Sequence, residues 1–66
     1  MIVIVNGHPQ ELPNGATLAD VLERLGAPSC GVAVALDGAV LPRASWPGAV
    51  LREGALVEVF TAVQGG

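Results

Sequence analysis

A single stretch of the sequence, TLADVLERLG at residues 17–26, carries the spacing of an amphipathic helix. Its apolar residues recur at i, i+3, i+4 and i+7, which places them on one helix face. They are Leu18, Val21, Leu22 and Leu25. Thr17 and Asp20 fit an N-terminal capping box, and Gly26 with Pro28 predicts the end of the helix. A lone helix buries such a face only against a sheet, so we expect a two-layer α+β domain.

Five other segments are predicted strands. They are MIVIV, HPQEL, GVAVALDG, AVLP and ALVEVFTAV, in chain order. Asn-Gly follows the first segment and Asp-Gly ends the third, and both dipeptides are strong hairpin turn signals. RASWPGAVLREG is irregular, with one helical turn expected at Arg43–Trp46, before Pro47.

The resulting order is ββαββ…β, with the first and last strands expected side by side beneath the helix. That arrangement is the β-grasp fold, a mixed sheet of about four to five strands packed on one main helix. We expect residues 1–63 to form this domain and residues 64–66 to form a flexible C-terminal diglycine tail, since untethered termini are commonly disordered.

Strand alternation predicts which side chains of the last strand face the helix. Val57, Val59, Thr61 and Val63 share one face, and Leu56, Glu58 and Phe60 share the other. The charge of Glu58 marks the second face as the solvent side. With Val3 and Val5 in the core, Ile2 and Ile4 also point outward. Ile2, Ile4 and Phe60 therefore form a candidate partner-docking surface, because exposed apolar patches often mark interaction sites. The alternatives are a parity wrong by one residue and a loop that covers these side chains.

Charge and composition argue against several classes of function. Three Arg and no Lys stand against six Asp and Glu, a balance unsuited to binding nucleic acid. No apolar run approaches the roughly 20 residues that cross a bilayer, and MIVIVNG lacks the basic start of a signal peptide. Cys30 and His8 are the only residues of their kinds, so neither an internal disulfide nor a metal site is expected. We expect a cytoplasmic protein without a cofactor or a membrane partner.

Several blocks of the chain together carry a family resemblance. They are VNG after the first strand, TLADVLERL, VAVALDG…VLPRASW and the terminal REGALVEVFTAVQGG. In this order and at this length the chain resembles the ThiS family, the ubiquitin-like sulfur carriers of the thiamine pathway. The similarity covers essentially all of the sequence, up to the second glycine of the final pair.

The resemblance implies a carrier that is modified by other proteins and is not itself an enzyme. A ubiquitin-activating-type adenylyltransferase would use ATP to adenylate the carboxylate of Gly66. Sulfur from a cysteine desulfurase persulfide would then give a C-terminal thiocarboxylate, which thiazole synthase would accept. Gly65 and Gly66 would thread into the partners' narrow sites, since glycine has no Cβ to obstruct a close approach.

Two other functions remain open from the sequence. The small subunit of molybdopterin synthase shares the fold, the diglycine and the thiocarboxylate chemistry, although TAVQGG favours the thiamine carrier. A β-grasp interaction module with an irrelevant tail is the other. A catalytic role has the least support, since the sequence offers no clear nucleophile–base pair, carboxylate pair or phosphate loop.

Overall fold

The computed structural model describes residues 1–27 and 31–61 of the chain. Its elements follow the predicted order. They are β1 (Ile2–Val5), β2 (His8–Glu11), α1 (Leu18–Leu25), β3 (Val32–Leu36), β4 (Ala39–Leu41), a 3-10 helix (Arg43–Gly48) and β5 (Leu56–Thr61). Cys30, Val63 and the predicted tail at 64–66 lie outside the described residues.

The five strands form one mixed sheet in the order β2-β1-β5-β3-β4. β1 and β5 are neighbours, as predicted, and they run parallel, whereas the other pairs are antiparallel. The last strand of the sequence is therefore the middle strand of the sheet. With α1 packed on one face, the predicted α+β class and β-grasp fold are confirmed.

α1 begins and ends where its capping residues predict. The Thr17 Oγ1 accepts a hydrogen bond from the Asp20 N–H at 3.3 Å, and the Thr17 N–H donates to the Asp20 Oδ2 at 2.9 Å. This reciprocal pair satisfies two amide groups that the first helical turn leaves without a partner. At the other end Gly26 adopts φ 67°, a left-handed conformation that favours glycine and ends the helix.

The core lies between α1 and the facing side of the sheet. Its most deeply buried side chains are Val3, Leu18, Val34 and Val57. Trp46 closes one end of this core, where its indole N–H donates to the Leu41 carbonyl oxygen at 3.1 Å. Only the prediction for Leu25 is wrong among the apolar positions of the helix. Leu25 is 47% exposed because it is the last residue of α1, where the Gly26 turn leads the chain away.

The 3-10 helix is longer than the sequence predicts, since it continues through Pro47 to Gly48. Proline fixes φ near −65°, which suits a 3-10 helix, although it cannot donate the N–H that would pair with the Ala44 carbonyl three residues earlier. The Ser45 N–H donates to the Pro42 carbonyl, and the Ala49 N–H donates to that of Trp46. The turn therefore forms around the proline.

No helix in residues 1–27 and 31–61 has the length and hydropathy of a membrane span. Within the same residues, no group of three or more His, Cys, Asp or Glu side chains is placed to hold a metal ion.

Candidate functional site

The outer face of the sheet, opposite α1, carries the candidate docking residues. Phe60 is 53% exposed and Ile2 is 38% exposed, whereas Ile4 is partly buried. Val3, Val5 and Val57, the neighbours of opposite parity, are buried in the core. The alternation predicted for β1 and β5 therefore agrees with the observed exposure as far as Phe60. The prediction for Thr61 is wrong: it is exposed, because the core ends before it and Val59 is already only partly buried.

The structure brings Ile2 and Ile4 together and places Phe60 further along the sheet. In the parallel pairing of β1 with β5, Ile4 lies opposite Leu56. Phe60 follows Leu56 by four residues, a distance of about 13 Å along the strand. The three residues thus mark the two ends of one apolar strip and not a compact cluster.

Leu56 completes this strip, although its parity alone did not single it out. It is 54% exposed and lies beside Ile4, so it widens the Ile4 end of the strip, while about 13 Å still separates it from Phe60. The residues that we call the outer strip are Ile2, Ile4, Leu56 and Phe60. Strand alternation already placed Leu56 on the outer face, and the register of β1 against β5, which the sequence does not specify, places it beside Ile4.

Acidic side chains accompany the outer strip. Glu58 lies between Leu56 and Phe60 on the same face of β5, and Glu11 lies opposite Ile2. All three arginines of the chain lie outside the strands, in α1, in the 3-10 helix and in the loop before β5. Arg43 stacks over the Trp46 ring at 5.6 Å from its centroid, away from this face of the sheet. The outer strip therefore has two apolar ends, with the carboxylate of Glu58 between them and that of Glu11 beside Ile2.

β5 leads directly from this strip toward the C-terminus. The described part of the strand ends at Thr61, five residues before Gly66. Five residues can reach at most about 18 Å beyond that point, even when fully extended. Gly65 and Gly66 lie outside the described residues, so their place in the site is a matter of sequence position.

The described surface carries grooves rather than a closed pocket. The largest are about 380 to 400 Å³ and open to solvent. One of them runs beside Phe60 and is lined by Gly31, Val32, Ala33 and Thr61. Such shallow grooves suit contact with another protein better than they suit enclosure of a small substrate.

Comparison with known proteins identifies close relatives along the whole chain. A sulfur carrier protein ThiS of Thermus thermophilus is 42% identical over 65 residues, which cover 98% of this chain and 100% of that protein. A sulfur carrier protein ThiS of Escherichia coli is 26% identical over 66 residues, with complete coverage of both chains.

The fold is likewise shared with a solved structure. The crystal structure of a thiamine biosynthesis protein (ThiS) from Geobacter metallireducens matches with a TM-score of 0.82 and 28% identity, over all of both chains. The model of the family described as "ThiS family" matches residues 3–66, which include the two final glycines. This chain therefore belongs to the ThiS family of sulfur carrier proteins.

Proposed function

We propose that this protein carries sulfur for the synthesis of the thiazole ring of thiamine. The observation that supports this most is the family match, which continues from the folded body through Gly66. The relatives named above are a thiamine biosynthesis protein and sulfur carriers. The body of the protein supplies recognition, and the tail at residues 64–66 carries the sulfur.

The proposed chemistry begins at the carboxylate of Gly66, which is a poor electrophile when free. A ubiquitin-activating-type adenylyltransferase joins it to the AMP part of ATP and releases pyrophosphate. The persulfide of a cysteine desulfurase then attacks the carbonyl carbon and displaces AMP. A thiol reduces the resulting acyl disulfide, which leaves the thiocarboxylate on Gly66 and a new disulfide. Thiazole synthase takes the sulfur from this thiocarboxylate.

The absence of lysine supports sulfur transfer over conjugation between copies of the chain. An acyl-adenylate reacts readily with amines, and a lysine ε-amine would capture it as a stable amide. The sequence contains no lysine, so one activated copy meets no such amine on another. The activated end is thereby left available to the sulfur donor.

The direct test follows the mass of the intact protein. The chain is incubated with ATP, an adenylyltransferase and a cysteine desulfurase, and the product is analysed by mass spectrometry. We expect a shift that equals the replacement of one oxygen by sulfur, located on Gly66 by fragmentation. The absence of this shift, with enzymes that modify another carrier of the family, would contradict the proposal.

We further propose that the outer strip docks the partner enzymes. Its two most exposed side chains, Leu56 and Phe60, lie on the strand that leads into the tail, so docking there would place Gly66 within reach of an active site. Glu58 and Glu11 favour partners whose apolar groove is bordered by Arg or Lys. Phe60 is the side chain of this strip nearest to the tail.

Replacement of Phe60 by alanine should weaken binding to the adenylyltransferase. We expect the Kd to rise about tenfold or more, because exposed aromatic side chains often dominate protein interfaces. Val50→Ala is the matched control, since Val50 is 60% exposed in the loop before β5, outside the strands that form the docking face. Calorimetric titration measures both variants. Equal Kd values for the Phe60 variant and the parent would exclude Phe60 from the interface.

A further inference from the structure

Two hairpin turns of the protein have the same backbone conformation and the same kind of side-chain hydrogen bond. Asn6-Gly7 joins β1 to β2, and Asp37-Gly38 joins β3 to β4. Asn6 and Asp37 both have φ 50°, and the glycines that follow them have φ 81° and 88°. In both turns the side chain of the first residue hydrogen-bonds to the backbone of β5. The middle strand is thus held from both sides by side chains as well as by neighbouring strands.

Asn6 extends the pairing of β1 with β5 by one residue. Its backbone N–H donates to the Val57 carbonyl oxygen at 2.9 Å. Beyond this bond the turn leads the chain away, and the side-chain amide continues the pairing. The Asn6 Oδ1 accepts from the Val59 N–H at 2.8 Å, and the Nδ2 donates to the Val59 carbonyl oxygen at 3.4 Å. The amide group therefore takes the place of a peptide group of a longer β1.

This contact lies at the end of β5 that leads into the tail. Val59 precedes the exposed Phe60 by one residue and Gly66 by seven. Among the described residues, the Asn6 amide makes the last hydrogen bonds from the β1 side to β5. On its other side β5 is paired with β3 as far as Thr61. Without the amide, β5 would be held on its β1 side only as far as Val57.

We propose that Asn6 is a positioning residue for the reaction at Gly66, a role that rests on the proposed sulfur-carrier function. Through Val59 it fixes the direction in which β5 leaves the sheet next to Phe60. In a carrier docked through the outer strip, the tail then starts from a fixed position at the end of β5 and reaches the partner's active site from there. Small displacements of a reacting group reduce catalytic rates strongly, so a fixed starting position favours transfer.

Asp37 provides a matched control at the opposite end of β5. Its Oδ1 accepts from the Leu56 N–H at 2.9 Å, and its own N–H donates to the Leu56 carbonyl oxygen at 2.8 Å. Leu56 is ten residues from Gly66. The loss of the Asp37 side chain therefore removes a similar hydrogen bond from the same strand, at its far end from the tail.

The first measurement is amide hydrogen exchange in Asn6→Gly and Asp37→Gly, because glycine accepts the positive φ of both turns without strain. In the Asn6 variant we expect the Val59 amide to exchange about tenfold faster, relative to an amide of α1, as one hydrogen bond is lost. In the Asp37 variant the Leu56 amide should be the one affected. Normalising to α1 removes any change in global stability.

The second measurement is the kinetics of sulfur uptake with the adenylyltransferase and the desulfurase. For Asn6→Gly we expect kcat to fall about fivefold with little change in KM, since Phe60 and the rest of the outer strip remain in place. Asp37→Gly should retain the parent kcat. Asn6→Asp, which keeps an acceptor for the Val59 N–H, should recover part of the rate and tests the role even if the glycine variant folds poorly.

Two results would overturn this role. Equal losses of kcat in the Asn6 and Asp37 variants would indicate general loosening of the sheet. An unchanged kcat in Asn6→Gly, with fast exchange at Val59, would show that the Asn6 contact with β5 does not affect the rate of sulfur uptake. In both cases the parent chain still takes up sulfur, so the proposed function stands. A parent chain that takes up no sulfur would overturn the function and the role together.

Discussion

A chain that ends at Gln64, with Gly65 and Gly66 removed, should fold like the parent protein and take up no sulfur. The core side chains lie between Val3 and Val57, so the truncation removes none of them. The new carboxylate would be about 7 Å nearer to the body of the protein, at the extended spacing of two residues. It would also belong to a residue with a side chain. Both changes should keep it out of a narrow active site.

Intact mass spectrometry and urea unfolding test this prediction on the same samples. We expect the thiocarboxylate to fall below detection while the unfolding midpoint stays close to that of the parent. Gly65→Ala distinguishes the effect of a shorter tail from the effect of an added side chain, because it keeps the reach of the tail and adds a single Cβ beside the reacting residue. An intermediate rate is expected for it. Sulfur uptake at the parent rate by the truncated chain would contradict the role of Gly66.

Local chemistry explains why the helix and the strand faces are predictable from the sequence. Thr17, Asp20 and Gly26 act on the backbone within one turn of themselves, and the structure confirms both ends of α1. A single charged residue is enough to decide which face of a strand points to solvent, and in β5 that residue is Glu58. The exposure of Phe60 and the burial of Val57 follow from this assignment.

Features that depend on distant parts of the chain could not be predicted in this way. The register of β1 against β5 joins segments about fifty residues apart, and it alone places Leu56 beside Ile4. The bond from Asn6 to β5 depends on this register, and the bond from Asp37 depends on the register of β3 against β5. From the sequence alone, an Asn-Gly or Asp-Gly pair therefore predicts a turn and not these bonds. The predicted burial of Leu25 was wrong for a related reason. Periodicity gives the face of a helix but not where the opposing layer ends.

The candidate site combines a predictable part with an unpredictable one. Gly66 was identified by resemblance to a family, because a terminal glycine pair has no structural signature of its own. The outer strip was partly visible in the alternation of β1 and β5, yet its extent required the strand pairing. The family match now supports the chemistry, while the docking role of the strip and the positioning role of Asn6 depend on the experiments proposed above.

Replacement of Leu18 by alanine should have the largest effect on stability of any change proposed here. Leu18 is 0% exposed and lies in the first turn of α1, at the centre of the core. Truncation of a buried leucine costs about 2 to 5 kcal/mol of unfolding free energy. The total free energy of unfolding of natural domains is only about 5 to 15 kcal/mol. Small domains bury the smallest fraction of their surface on folding. A large fraction of the stability should therefore be lost.

Leu25→Ala is the matched control for this prediction. It makes the same substitution in the same helix at a side chain that is 47% exposed, so it should cost less than about 1 kcal/mol. Urea unfolding followed by circular dichroism measures both variants. Similar losses in the two variants would mean that Leu18 is not a central core residue. If the prediction holds, sulfur uptake by Leu18→Ala should recover on cooling toward 10–20 °C, where domains of this kind are about most stable, because its tail and outer strip are unchanged.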